Sequence, residues 1–118
     1  MKKVILFFSL ATYLFCGSSF KKEDIEYYYY AVTYSNNRQK IYFSNVFSAN
    51  KYAKSSEIAN WSKSLFTENN SDCSNSKVVV KSYSNEKTVI FSKAYEINQF
   101  NKNGYLVVNV SFPSKYTK

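Results

Sequence analysis

The sequence has no histidine, two glycines, two cysteines, one proline and a single arginine, and these scarcities exclude whole classes of chemistry. Without histidine there is no Ser-His-Asp or Cys-His catalysis, and the imidazole used by most zinc and copper sites is missing. Gly17 and Gly104 stand far apart, so no glycine-rich phosphate loop exists. Two cysteines cannot build a metal cage, and neither a metal nor another cofactor is expected. Arg38 alone carries the planar fork that grips phosphates, because the other basic residues are all lysine. The formal charge of +8 is therefore weak support for nucleic-acid binding, and no nucleic acid is expected as a partner. Acidic glycan, anionic lipid or an acidic protein suits such a charge better.

Carboxylate pairs are the remaining route to hydrolysis, and none is well placed. Glu23 and Asp24 fall in an N-terminal tail, Glu68 and Asp72 in a polar loop, Glu86 in the first turn of a helix, and Glu57 and Glu96 on solvated helix faces. An acid/base pair belongs in a cleft on well-positioned elements, so the chain is expected not to be an enzyme.

What is present begins with an address label. Met1, Lys2 and Lys3 precede an apolar run over residues 4–16, and Cys16-Gly17-Ser18-Ser19 supplies the small residues of a cleavage site. The run is too short for a stable transmembrane anchor, which needs about 18 apolar residues. Residues 1–19 are read as a cleaved signal of bacterial type and 20–118 as one small domain, exported to the periplasm or secreted. Lipidation through Cys16 is disfavoured by the bulky Phe15 before it. Loss of Lys2 and Lys3 leaves 14 basic and 8 acidic residues, and Cys73 as the only thiol, expected unpaired in the polar loop of residues 67–76.

Residues 25–33 and 40–47 are rich in aromatic and β-branched types around "SNNRQ", which predicts a hairpin turning at Asn36-Asn37. That register sets Val32 opposite Ile41 and Tyr30 opposite Phe43 on the buried face, and sends Tyr27, Tyr29 and Tyr42 to the other. Ile58, Trp61 and Leu65 recur at helical spacing over residues 56–66, with Ser55 or Ser56 as the cap. "KVVVKSY" reads as a strand. A second helix follows Ser84, with Ile90, Ala94 and Ile97 as its inward stripe and Gly104 as its stop. "YLVVNVSFP" reads as the last strand, with Leu106, Val108, Val110 and Phe112 inward. The order β-β-α-β-α-β predicts an α+β two-layer sandwich: a four-stranded sheet with both helices on one face.

The face left open would carry Tyr27, Tyr29 and Tyr42. Tyrosine joins an apolar ring to a polar tip, as protein interfaces and sugar stacking require. These three are the expected binding residues of a non-enzymatic, protein-binding module of inhibitor or immunity type.

Residues 78–110, "VVVKSYSNEKTVIFSKAYEINQFNKNGYLVVNV", resemble one strand-helix-strand half of a SPOR domain. The strand ends at Ser82-Tyr83-Ser84, a helix follows, and Gly104-Tyr105 leads into the second strand. SPOR domains bind peptidoglycan glycan strands, so the resemblance implies envelope glycan binding as the alternative function. It covers about a third of the chain. The N-terminal half departs from the pattern, with a hairpin where a strand-helix unit should stand, and no binding residue is carried over.

Overall fold

A computed structural model describes residues 26–117; the signal read at 1–19 and the fate of Cys16 lie outside them. The chain is α+β, with a mixed five-stranded sheet and two helices. Its elements are β1 (Glu26–Tyr34), β2 (Lys40–Ser44), β3 (Phe47–Asn50), α1 (Ser55–Asn69), β4 (Val79–Tyr83), α2 (Glu86–Lys102) and β5 (Leu106–Val110).

The hairpin forms with its register moved by two residues. Val32 pairs with Phe43 and Tyr34 with Ile41. The turn is longer than Asn36-Asn37 alone: the Ser35 N–H donates to the Lys40 carbonyl (3.0 Å), the Arg38 N–H donates to the Ser35 carbonyl (2.9 Å), and Arg38 takes a left-handed φ of 59°. Asn37 Oδ1 accepts from Ser35 Oγ at 2.7 Å and from the Gln39 N–H at 3.1 Å, holding that loop. Because strand side chains alternate with period two, a slip of two leaves every side chain on its expected face.

The fifth strand comes from a bulge. Between the pairs Val32–Phe43 and Tyr29–Phe47, residues 30–31 of β1 face residues 44–46 of the returning strand, one more than they can match. That extra residue breaks the returning strand into β2 and β3. The interrupted ladder is repaired by side chains: Ser44 Oγ accepts the Ala31 N–H at 2.8 Å, and Asn45 Oδ1 accepts the Phe112 N–H at 2.6 Å.

β4 lies antiparallel to β1 on its far edge, and β5 runs parallel to β2. β4 and β5 are therefore parallel to each other, joined by α2 across the two strands between them. Beyond Pro113 the tail runs beside β3, where the Ser48 N–H donates to the Ser114 carbonyl (2.9 Å) and the Tyr116 N–H to the Ser48 carbonyl (2.8 Å). Lys115 Nζ meets Glu26 Oε2 at 2.5 Å.

The two helices cover opposite faces, which corrects the expectation that both lie on one. Tyr29, Ala31, Tyr42, Phe47 and Ala49 pack with Ile58 and Phe66 of α1. Tyr30, Val32, Ile41 and Phe43 pack with Val89 of α2, flanked by Ile97 and Phe100. β1 supports both cores because consecutive residues 29–32 are all buried, the near-continuous apolar run of a strand covered twice. Of the expected stripe in β5, Phe112 is buried, Val108 and Val110 pack partly against the α1 core, and Leu106 is exposed.

Candidate interaction surface

Of the three tyrosines expected on an open face, two are core residues. Tyr29 is 5% exposed and stacks on Phe47 with ring centroids 5.6 Å apart, and Tyr42 is 2% exposed against Phe66. Only Tyr27, paired with Ala49, reaches solvent. Their face is closed by α1, so Tyr27, Tyr29 and Tyr42 do not form a contact surface together.

Burial of Tyr42 works because its hydroxyl has somewhere to go. It donates to Asp72 Oδ1 at 2.6 Å, with Lys40 Nζ 3.5 Å from the other carboxylate oxygen. Burial, reinforced by Asp72, pushes the phenol well above its ordinary pKa; the same hydrogen bond holds the Asp72 carboxyl below its ordinary value. Residues 67–76 are correspondingly not a featureless loop. α1 runs on to Asn69, a 3-10 turn spans Ser71–Cys73, and Cys73 is 1% exposed with Sγ 3.0 Å from the Asn70 carbonyl.

The outward side of α2 is the prominent apolar surface. Asn85, not Ser84, caps this helix by accepting the Thr88 N–H at 3.2 Å. Its inner side then carries Val89, Ile97 and Phe100, together with two polar residues whose bonds are made internally. Glu96 accepts from the Tyr30 hydroxyl and from Lys81 Nζ (2.6 Å), and Ser92 bonds the Tyr83 hydroxyl at 2.6 Å. Glu96, expected on a solvated face, is thus turned to the sheet. The stripe expected to face inward is split, for Ile97 is inside while Ile90 is 53% exposed.

Phe91 and Tyr95, one helical turn apart, are 81% and 67% exposed. Beside them a shallow cleft of about 590 Å³ opens between α2 and the end of β4, lined by Tyr83, Phe91, Ser92 and Tyr95. The outer edge of β4 is unpaired among the described residues, with Val79 48% exposed. On the opposite flank, Lys93 lies among Val46, Ile90 and Ile97, where burial lowers its pKa. The sequence signal for this surface was a second apolar stripe, Ile90, Phe91, Ala94 and Tyr95, running beside the buried one.

Comparison with protein-family models, with curated proteins and with solved structures gives no match. Among the described residues no helix is long and apolar enough to cross a membrane, and no three His, Cys, Asp or Glu side chains cluster as metal ligands would.

Proposed function

We propose that this is a small exported, non-enzymatic binding module of inhibitor or immunity type, which holds a protein partner against the outer side of α2. The observation that carries this reading is the exposure of Ile90, Phe91 and Tyr95 on one helix. Contiguous exposed apolar groups of this size mark interaction sites, and aromatic residues are enriched at interface cores.

Charge favours an acidic protein over a second copy of the chain. The described ion pairs use Lys40, Lys81 and Lys115, leaving Lys87, Lys93 and Lys102 of α2 without a carboxylate. Two copies meeting through α2 would bring those lysines together, whereas an acidic rim around an apolar recess would match them. Envelope glycan binding, the function implied by the SPOR resemblance, is weaker because Tyr29 and Tyr42 are withdrawn into the core.

Affinity capture from envelope and secreted fractions tests the reading, with a Phe91→Ser/Tyr95→Ser variant of unchanged circular dichroism as control. One stoichiometric protein, retained by the wild type and lost by the variant, is expected. Equal retention by both chains would remove α2 from the interface. Pelleting with cell-wall sacculi or with anionic vesicles, in the absence of protein capture, would replace the protein partner by glycan or lipid.

A further inference from the structure

Lys93 is an uncompensated cation set into the protein. No described carboxylate lies within ion-pair distance of it, although it is half-buried on the flank of α2. It lines two adjoining crevices. One, of about 280 Å³, is apolar, with Val46, Ile90, Ala94 and Ile97 as its walls. The other, of about 240 Å³, is lined by Asn45, Asn109, Val110 and Ser111 at the end of β5, and so sets three polar side chains beside an aliphatic one. Asn45 is already committed, its Oδ1 to the Phe112 N–H and its Nδ2 to the Val46 carbonyl. Asn109 and Ser111 are exposed and remain to meet a ligand.

We propose that the crevice around Lys93 is a carboxylate-binding site, selective for an acid carried beside an apolar group. A carboxylate placed on the ammonium forms a charge-assisted hydrogen bond and compensates a cation that has lost part of its water. Asn109 and Ser111 supply further donors, and the wall of Val46, Ile90 and Ile97 removes the ligand's apolar part from water. Two sources carry this chemistry: a free medium-chain carboxylic acid, and an Asp or Glu flanked by aliphatic residues in another protein. The site stands on Lys93 and its crevices, and does not depend on Phe91 and Tyr95 forming an interface.

The test follows Lys93 itself. Lysine-labelled chain is titrated with octanoate, with octanol and octylamine as controls, and separately with an acetylated, amidated Leu-Glu-Leu peptide. Saturable shifts of the Lys93 Cε signal and of the Ile90 and Ser111 amides are expected, with the Lys93 pKa moving up towards 10.5 on binding. Lys93→Met keeps the apolar stem and should weaken binding at least tenfold. Response to octanoate alone assigns a small acid, response to the peptide alone assigns a protein side chain, and response to both assigns the shared chemistry. No movement of Lys93 with either, or octanol and octylamine acting as strongly as octanoate, overturns the proposal.

Discussion

Tyr30 and Tyr42 deliver their hydroxyls to carboxylates on opposite sides of the sheet, Tyr30 to Glu96 and Tyr42 to Asp72. Burial is the chief reason that both phenols, and that of Tyr29, lie above the ordinary value of 10.0. Their folded pKa values are raised, so the stability they contribute is complete below pH 10 and is lost as pH rises beyond it. Ionisation of these three, followed by tyrosinate absorbance alongside circular dichroism, should therefore appear only with unfolding; their ionisation in the folded protein near pH 10 would contradict their burial. Asp72 has the opposite sign. Its carboxyl is depressed below 3.8, so its contribution is present above that pH and is lost on acidification through the folded pKa. Tyr42→Phe should cost about 1 kcal/mol at neutral pH, a modest figure because the Asp72 carboxylate is half in water, and should weaken the acid dependence. The fate of these tyrosines was not legible in the sequence. A ring with a polar tip fits a surface or a core, and only the distant partners Asp72 and Glu96, far along the chain, decide which.

At the scale of elements, periodicity carried most of the information. Both helices, the hairpin and strands β4 and β5 stand where the spacing placed them, and Gly104 at φ 87° ends the rise of α2 as expected of a glycine stop. The misplaced residues of α2 share a cause: where two apolar stripes run along one helix, spacing cannot say which is inside. Ser92 and Glu96 look like solvent residues until Tyr83 and Tyr30 claim them. The two stripes give a direct contrast in unfolding experiments. Val89→Ala should cost about 2 kcal/mol from lost burial and cavity formation. Phe91→Ser and Tyr95→Ser should each change stability by no more than about 0.5 kcal/mol, as surface substitutions do. The bulge was equally hidden, since no residue of "FSNVF" announces an extra position. Ser44→Ala should cost about 1–3 kcal/mol by leaving the buried Ala31 N–H without its acceptor, and hydrogen exchange at Ala31 should accelerate.

For the molecule as a whole, the α+β class followed from the sequence, and so did the order of elements apart from the extra strand β3, whereas the helix on each face did not. A sheet read as open on one side is enclosed on both because β1 carries rings and aliphatic groups in both directions. Enclosure also takes Cys73 out of the polar loop expected for it: the residue belongs to the α1 core and has its thiol pKa raised chiefly by burial. A thiol reagent should leave Cys73 unmodified in the native protein and react once denaturant unfolds it; rapid native labelling would show that the 71–73 turn opens. The same core is completed only by the last residues of the chain. Trp61, the single tryptophan, has Phe47, Phe112 and Tyr116 around it at 5.1, 5.5 and 5.2 Å between ring centroids. Two of those three neighbours lie beyond β5, so the indole's environment is unfinished until the carboxyl-terminal segment docks. The protein thus carries its own fluorophore for the docking of residues 112–116, and emission from Trp61 distinguishes a chain that has merely formed its sheet from one whose α1 core is sealed.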